Sequence, residues 1–357
     1  MGELRLMKGN EAMAEAAIRA GMDAYFGYPI TPQSEVLEYL TREAYNRTQC
    51  AILQAESEVA SINMVYGAAG AGARVMTSSS SPGISLMQEG ISYIAGAELP
   101  CLLVNINRGG PGLGTIQPSQ GDYFQSVKGG GHGDYRLIVL APATVQEMAD
   151  FVQDGWDLAD KYRNPVLILA DGALGQMMEK VELREQLDRS KRPIPAWATT
   201  GKTRNREHNV ITSLFIQPEE MEQVNLRLQE KYKLIEQNEI RVQEINTDDA
   251  DFIIVAYGLS ARIGRKVMEL LRGEGHKVGL IRPITLWPYP SETIAKAAEH
   301  VKGFLSLEMN AGQMVEDVRL AVNGRCPVGH YGRMGGIIPS PEEVVDVIKD
   351  MYSKINH

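Results

Sequence analysis

Short apolar runs alternate with helical stretches along the first half of the chain, and this alternation constrains the fold more than any other feature. The helical stretches include Glu11 to Gly21, one from Pro32 and one from Glu58 to Gly72. Such alternation is typical of a doubly wound α/β domain around a parallel sheet, whose core should close near Met178. The predicted strands are 25–27, 51–54, 75–78, 101–106, 137–140 and 166–170.

Polar residues follow four of these predicted strands. They are Thr31 in Phe26-Gly-Tyr-Pro-Ile-Thr-Pro, Glu58, the serines 79–81 in Met76-Thr-Ser-Ser-Ser-Ser-Pro-Gly, and Arg108. Open α/β sheets bind ligands at the carboxyl ends of their strands. We therefore expect one edge of one sheet to carry all of these residues.

Two carboxylates, Glu56 and Glu58, lie beside a helical stretch rich in glycine and alanine. A carboxylate that loses solvent without gaining a partner either raises its pKa or destabilises the fold. A ligand nitrogen would be a suitable partner. The alternative is that both acids occupy the first turn of a helix, where the helix dipole favours negative charge.

Composition indicates a protein with two or three domains. The 357 residues are 44% hydrophobic and 23% charged, enough for each domain to bury a core. No apolar run approaches the roughly 18 residues of a membrane span, and the start has no signal-peptide core, so we expect a cytoplasmic location. A net charge of −9 argues against a nucleic-acid partner.

The three cysteines, Cys50, Cys101 and Cys326, are far apart in sequence. Without a Cys-x-x-Cys pair, this chain alone cannot build a zinc ribbon or a four-cysteine iron–sulfur cluster. Cys50 and Cys101 adjoin apolar runs and are expected to be buried hydrophobic residues. If the protein takes part in electron transfer, the clusters belong to another chain.

The second half divides into a connector and a further α/β unit. Residues 183–249 contain an irregular stretch and a charged helical stretch from Pro218 to Ile240, which would bridge domains or lie across a partner. The α/β pattern resumes at Phe252, with further strands predicted at 277–281 and 304–307. We therefore predict domains at 1–182 and 250–357, joined by a linker at 183–249.

Three other motifs do not indicate a known site. The glycines from Gly110 to Gly114 are not followed by the helix of a dinucleotide fingerprint, so this loop is expected at an active site or an interface. His132 lies among glycines and would either shuttle protons or serve a turn or subunit contact. The serines 79–81 lack the Gly-x-Ser-x-Gly pattern of a hydrolase, so their hydroxyls would satisfy turn amides or face a ligand.

The motifs in this order resemble the α-type chain of the 2-oxoacid:ferredoxin oxidoreductases, most of all the branched-chain 2-oxoisovalerate type. The motifs of the sheet edge carry the resemblance together with Asn107-Arg-Gly-Gly-Pro. Three further segments extend it over nearly the whole chain: Lys8-Gly-Asn-Glu-Ala, Gly112-Leu-Gly-Thr-Ile-Gln-Pro-Ser-Gln-Gly-Asp122 and Ile281-Arg-Pro-Ile-Thr-Leu-Trp-Pro-Tyr-Pro290. The resemblance implies a pyrimidine-type thiamine diphosphate domain and an α/β domain like the carboxyl-terminal domain of transketolases.

The resemblance also implies roles for individual residues. By its place before Val59-Ala60, Glu58 would hydrogen-bond N1′ of the thiamine aminopyrimidine, with further cofactor contacts from Pro29 and Ser80. Thr31 and Arg108 would bind the 2-oxoacid, because a guanidinium presents a planar fork of donors to a carboxylate. The alternatives are an interface ion pair for Arg108 and a helix cap for Thr31, since Thr caps helices and Pro suits their first turn.

The second half of a thiamine site is missing from the sequence. Neither Gly121-Asp122 nor Gly133-Asp134 continues as the Gly-Asp-Gly segment that holds Mg²⁺ and the diphosphate. The resemblance assigns that half, with an iron–sulfur cluster, to a β-type chain, alongside γ and ferredoxin-like δ chains. The expected reaction is oxidative decarboxylation of a branched-chain 2-oxoacid with CoA, reducing ferredoxin. The alternatives are 2-oxoglutarate as substrate and a non-catalytic scaffold, while a thiamine enzyme without iron is disfavoured.

Overall fold

A computed structural model describes residues 3–202 and 206–355, which contain fourteen strands and twelve α-helices. The expectation that the start has no signal-peptide core includes residues 1 and 2, which lie outside the described range. The strands are β1 (Glu3–Lys8), β2 (Ala24–Gly27), β3 (Ala51–Gln54), β4 (Val75–Ser79), β5 (Cys101–Asn107), β6 (Ile138–Leu140), β7 (Pro165–Asp171), β8 (Met178–Leu183), β9 (Val242–Ile245), β10 (Phe252–Val255), β11 (Val278–Pro283), β12 (Thr285–Trp287), β13 (Gly303–Glu308) and β14 (Val328–Gly332).

Twelve α-helices and a short 3₁₀ helix at Arg189–Lys191 form the remaining regular structure of the described residues. The α-helices are α1 (Gly9–Arg19), α2 (Ser34–Thr48), α3 (Glu58–Gly70), α4 (Ser81–Gly96), α5 (Tyr123–Val127), α6 (Val145–Tyr162), α7 (Gly172–Gln176), α8 (Pro218–Asn238), α9 (Gly258–Gly273), α10 (Ser291–Ala297), α11 (Met314–Val322) and α12 (Pro341–Ile355).

A seven-stranded sheet forms the core of the first unit, with strand order β12-β6-β7-β5-β4-β2-β3. The six strands predicted from apolar runs all lie in it, and neighbouring pairs among them are parallel. The central strands β5 and β7 are buried along their whole length, because helices cover both faces of the sheet. The predicted doubly wound α/β class is confirmed.

Helices α3 and α4 pack closely because a small residue at their contact lets the two backbones approach each other. A Cβ atom added to Gly90 would lie 2.5 Å from the side chain of Ile62, a distance too short for any larger residue. The hydroxyl of Ser57 caps α3 by accepting the amide of Ala60 at 3.2 Å. This close packing and capping fix the position of the first residue of α3, Glu58.

A second sheet, in the order β14-β13-β10-β11-β9, forms the other core. Its strands are parallel except β9, which lies antiparallel to β11 and comes from the segment predicted as linker. Conversely, β12 follows β11 in the chain but joins the first sheet, antiparallel to β6. The sheets therefore do not follow the predicted divisions, because a linker strand joins the second sheet and a strand of the second predicted domain joins the first. The sequence patterns did not indicate the place of either strand, nor the antiparallel ribbon of β1 with β8.

The charged stretch from Pro218 forms the long helix α8. Four of its apolar or aromatic residues, Val224, Leu228, Tyr232 and Ile235, are buried, while most of its charged side chains remain exposed. Its Lys231 is bound by Glu98 and the carbonyl of Arg163. The helix therefore rests on the first unit through one narrow apolar stripe. No helix among the described residues is long and apolar enough to cross a membrane.

Candidate active site

Four neighbouring strands bring the predicted site residues to one edge of the seven-stranded sheet. β5, β4, β2 and β3 are adjacent and parallel, so their carboxyl ends lie side by side. Their last residues and the segments that follow carry Arg108, the serines 79–81, Thr31 and Glu58, respectively. The prediction that one sheet edge holds all of them is confirmed.

The two glutamates after β3 occupy different environments. Glu56 is exposed, whereas Glu58, the first residue of α3, is only 6% exposed. Within the described residues, no side chain or backbone amide donates a hydrogen bond to the Glu58 carboxylate. The dipole of α3 favours a negative charge at this position but supplies no direct partner. Glu58, and not Glu56, is therefore a buried carboxylate available to a ligand.

Gly83 provides the space in which the Glu58 carboxylate lies. A Cβ atom at position 83 would approach Oε1 of Glu58 to 2.5 Å, and Ser79 Oγ more closely still. Gly83 itself lies in the first turn of α4, separated from the serine run only by Pro82. The sequence Ser-Pro-Gly therefore lets the beginning of α4 pass against both polar side chains.

An unusual concentration of buried polar atoms without partners lies at the ends of β4 and β5. Buried polar groups in proteins are almost always hydrogen-bonded, and an unsatisfied one costs about 1–3 kcal/mol. A ligand with several polar groups at this edge would relieve that cost. Within the described part of the chain, the unpartnered atoms here are Thr77 Oγ1, Ser79 Oγ, Ser80 Oγ, Asn105 Oδ1, Asn107 Nδ2 and Arg108 Nε.

The Arg108 guanidinium is held by backbone carbonyls. Its two terminal nitrogens donate to the carbonyl of Thr31 at 2.9 Å and to that of Leu113 at 3.0 Å. The residue is 9% exposed, and no carboxylate among residues 3–202 and 206–355 forms an ion pair with it. Its positive charge is therefore fixed in place without being neutralised, as binding of an anionic group requires.

Thr31 and Pro29 lie on the exposed turn between β2 and α2. Helix α2 begins at Ser34 with Gln33 at the capping position, so the alternative that Thr31 caps a helix is wrong. The backbone carbonyl of Thr31 accepts a hydrogen bond from Arg108, which places the two residues next to each other. Ser80 is the residue before α4, with extended backbone and a buried hydroxyl.

One polar residue of this edge was not identified from the sequence. Asp122 accepts hydrogen bonds from Ser81 Oγ at 2.6 Å and from Asn105 Nδ2 at 2.8 Å. Burial raises the pKa of the Asp122 carboxyl, and these two hydrogen bonds partly offset that rise. In the sequence, the only pattern that included Asp122 was the Gly121-Asp122 pair, which was compared with a diphosphate-binding motif. Its link to Ser81 spans 41 residues and depends on the path of the loop after Arg108.

His132 lies away from this edge. It is near Ser92, with Nδ1 and Oγ 3.4 Å apart, and it packs edge-on against Tyr93. Ser92 is nine residues after Gly83 on α4, which places it roughly 13 Å further along the helix axis. The His132 side chain lines a cavity formed with the connector and α8, so a direct proton transfer with a group at Glu58 is not supported.

The cysteines occupy the positions expected of apolar residues. Cys50 and Cys101 are fully buried, and burial raises the pKa of both thiols. Cys326 is partly buried. Across the described ranges, no group of three or more His, Cys, Asp and Glu side chains is placed to hold a metal ion.

Two family models match the chain along its length. Residues 15–247 match the thiamine diphosphate-binding domain of pyruvate flavodoxin/ferredoxin oxidoreductases. Residues 250–344 match core domain II of pyruvate:ferredoxin oxidoreductase. The first match alone covers well over half of the chain and includes every residue of the candidate site.

Two relatives are similar over nearly their whole length. The chain is 51% identical to the ketoisovalerate oxidoreductase subunit VorB of Methanothermobacter thermautotrophicus, covering 97% of each protein. It is 34% identical to the 2-oxoglutarate synthase subunit KorA of Methanothermobacter marburgensis, covering 98% of this chain and 100% of that one.

Solved structures share the fold. A 2-oxoglutarate:ferredoxin oxidoreductase from Magnetococcus marinus, with 2-oxoglutarate, coenzyme A and succinyl-CoA bound, superposes with a TM-score of 0.87 at 29% identity. The match covers 98% of this chain, which spans 65% of the length of that one. A split-gene transketolase, at 12% identity and a TM-score of 0.60 over 96% of this chain and 97% of that one, shares the fold alone.

Proposed function

Because the chain belongs to the pyruvate flavodoxin/ferredoxin oxidoreductase family, through its thiamine diphosphate-binding domain, we propose that it is the α-type subunit of a 2-oxoisovalerate:ferredoxin oxidoreductase. The reaction would be oxidative decarboxylation of a branched-chain 2-oxoacid with CoA, giving acyl-CoA, CO₂ and reduced ferredoxin. Its site would lie at the carboxyl edge of β2 to β5.

The observation that carries the proposal is the buried, unpartnered carboxylate of Glu58 in the space left by Gly83. An aminopyrimidine ring offers the complementary ring nitrogen, and the neighbouring hydroxyls of Ser79 and Ser80 are also unpartnered. The residues present therefore fit the pyrimidine half of thiamine diphosphate. When bound, that cofactor supplies a nucleophilic carbon and stabilises the negative charge left by decarboxylation.

Glu58 would hold a proton between its carboxylate and the pyrimidine ring nitrogen N1′. Glu58 is only 6% exposed, and a hydrogen bond in such surroundings is stronger than one in solvent. The close packing of α3 on α4 keeps the carboxylate from turning away. Glu58 would thus contribute both the proton and the orientation of the ring.

Arg108 would bind the carboxylate of the 2-oxoacid, with the Thr31 hydroxyl beside it. The bonds from Arg108 to two carbonyls fix the guanidinium before substrate arrives, so little side-chain freedom is lost on binding. Holding the carboxylate until it leaves as CO₂ also orients the 2-oxo carbon. Pro29 and Ser80 would add contacts to the cofactor from the turns on either side.

The substrate assignment rests on similarity to relatives. Identity is 51% to a ketoisovalerate oxidoreductase subunit and 34% to a 2-oxoglutarate synthase subunit, each over nearly the full length. We therefore place 2-oxoisovalerate first and 2-oxoglutarate second. A pocket built for an apolar side chain would leave the second carboxylate of 2-oxoglutarate desolvated without a partner.

The proposed enzyme requires further chains. The relatives are themselves named as subunits. A β-type chain would supply Mg²⁺, the diphosphate half of the site and an iron–sulfur cluster, and γ and ferredoxin-like δ chains would complete the particle. CoA would enter as co-substrate and ferredoxin would accept the electrons.

The test is to purify the complex assembled from co-expressed subunits and to follow CoA-dependent ferredoxin reduction by absorbance. The proposal predicts a higher kcat/KM for 2-oxoisovalerate than for 2-oxoglutarate. A preference for 2-oxoglutarate would overturn the substrate while leaving the family reaction in place. A complex that assembles with its cofactors but oxidises no 2-oxoacid would support the scaffold alternative instead.

A further inference from the structure

The segment from Ser119 to Tyr123 joins the candidate site to the second unit. Gln120 lies at its centre and is buried. Its side-chain amide donates to the carbonyl of Tyr257 at 2.9 Å, and its side-chain oxygen accepts from Ser260 at 2.7 Å and from the amide of Met309 at 3.0 Å. Gln120 therefore fixes the position of this segment relative to the second unit.

Two residues later, the same segment returns to the sheet edge. Asp122 accepts the hydroxyl of Ser81 and the side-chain amide of Asn105 through one carboxylate oxygen. No basic side chain in the described ranges forms an ion pair with Asp122. Its interactions with the site are therefore hydrogen bonds to two neutral donors.

Ser81 connects Asp122 to Arg108 through two hydrogen bonds. When the Ser81 hydroxyl donates to Asp122, its oxygen is free to accept the backbone amide of Arg108 at 3.1 Å. The Arg108 side chain then reaches the carbonyls of Thr31 and Leu113. The backbone between Gln120 and Asp122, the two hydrogen bonds of Ser81, and the Arg108 residue itself thus connect the second unit to the guanidinium.

We propose that Asp122 is a positioning residue that sets the place of Arg108 by orienting the hydroxyl of Ser81. The inference rests on the proposed function, in which Arg108 holds the substrate carboxylate. Displacing a binding group by about 1 Å can cost roughly 100-fold in rate, so loss of this orientation has a kinetic consequence even though Asp122 does not touch substrate.

A comparison of asparagine with alanine at position 122 distinguishes this positioning role from a general need for negative charge. Both donors approach one oxygen, which the side-chain carbonyl of asparagine can replace, whereas alanine removes the acceptor. Asp122→Ala should therefore lower kcat/KM for the 2-oxoacid about tenfold or more, chiefly through KM, and Asp122→Asn should restore it to within about threefold of wild type. Ser81→Ala should reproduce the alanine effect, and the double variant Ser81→Ala/Asp122→Ala should be no worse than either alone.

The matched control is Asp134→Ala, in the other Gly-Asp pair of the chain. Asp134 is exposed, and its contact with α8 uses only its backbone carbonyl. This variant should retain wild-type kinetics.

The direct readout is hydrogen–deuterium exchange of the full chain, measured by mass spectrometry on peptides that contain Arg108. Asp122→Ala should speed exchange there, whereas Asp122→Asn and Asp134→Ala should not. Equal kinetic losses for the Ala and Asn variants, or unchanged kinetics and exchange in Asp122→Ala, would overturn the inference. If the wild-type complex oxidises no 2-oxoacid, the proposed function fails, while the exchange comparison still decides whether Asp122 positions Arg108.

Discussion

Gly83 on α4 leaves the space that the Glu58 carboxylate of α3 occupies: a Cβ atom at position 83 would lie 2.5 Å from Oε1 of Glu58. A Cβ atom does not approach a non-bonded atom this closely, so either the carboxylate or the helix would have to move. The position of Glu58 therefore depends on a residue 25 positions away that has no side chain of its own.

The first prediction tests this dependence. Gly83→Ala should lower turnover of the assembled complex at least tenfold, because even a small displacement of a positioned acid–base group is costly. The control is Gly273→Ala, at the exposed end of α9, where an added Cβ would meet no atom within 4 Å. Steady-state kinetics with matched circular dichroism spectra would check both. Full activity in Gly83→Ala would show that the carboxylate can lie elsewhere.

The second prediction concerns Arg108. Charge-assisted bonds to a carboxylate contribute about 1.5–3 kcal/mol, so Arg108→Ala should lower kcat/KM for the 2-oxoacid roughly ten- to a hundredfold. Arg108→Lys should recover only part, since lysine restores the charge without the planar fork that also binds two carbonyls. The measurement is initial rates over a range of 2-oxoacid concentrations.

The control for Arg108 is Arg42→Ala, which removes an exposed guanidinium paired with Glu43. It should leave the kinetics unchanged. If Arg108→Ala instead preserves the kinetics but dissociates the complex on size-exclusion chromatography, Arg108 is an interface residue and its assignment to substrate binding must be withdrawn.

The third prediction concerns the divided site. The isolated chain should bind thiamine diphosphate weakly even with Mg²⁺, because its residues fit the pyrimidine half and a β-type chain would hold the diphosphate. It should also lack the broad visible absorption of iron–sulfur clusters. Titration calorimetry on the isolated chain and on the complex would compare the affinities. Tight, stoichiometric binding by the isolated chain would contradict a divided site.

The fourth prediction follows from Asp171, at the carboxyl end of β7. The residue is 2% exposed, and burial raises the pKa of its carboxyl to about 6, although the amides of Ala173 and Leu174 donate to it. Between the unfolded pKa of 3.8 and the folded value, the folded state binds more protons than the unfolded state. Asp171 therefore makes stability fall as pH rises through this window.

Asp171→Asn keeps an acceptor for the helix amides but does not titrate. Its free energy of unfolding relative to wild type should rise between about pH 4 and pH 6, by at most about 1.4 kcal/mol per pH unit, and then level off. Urea unfolding at several pH values would measure this. Asp249→Asn, at an exposed carboxyl whose pKa is lowered by its bond to Arg272, should show no such rise. A flat difference for Asp171→Asn would refute the effect of burial.

The sheet edge could be predicted from the sequence because its residues directly follow apolar strands. Arg108 comes immediately after β5 and Ser80 immediately after β4, so local order alone places them at the carboxyl ends of neighbouring parallel strands. The choice of Glu58 over Glu56 came from family resemblance. The structure adds a physical reason, since only Glu58 is buried.

Features that depend on distant chain segments could not be predicted in this way. Asp122 reaches Ser81 only because the loop after β5 folds back over the edge, and no periodic pattern encodes such a path. Strand β12 is three residues long, too short for a period-2 signal, and its place beside β6 depends on packing between the units. The role of Gly83 could not be predicted from the sequence either, because it depends on how closely α3 and α4 approach each other.

The most direct test of the central claim compares Glu58→Gln with Glu56→Gln in the assembled complex. Both substitutions replace a carboxylate by an amide of the same shape within three residues of one another. Turnover with 2-oxoisovalerate should fall about 10²- to 10⁴-fold for Glu58→Gln, the range for loss of a positioned acid–base group, and should change little for the exposed Glu56→Gln. Equal losses in the two variants, or full turnover in a Glu58→Gln complex that retains its cofactor, would contradict the account.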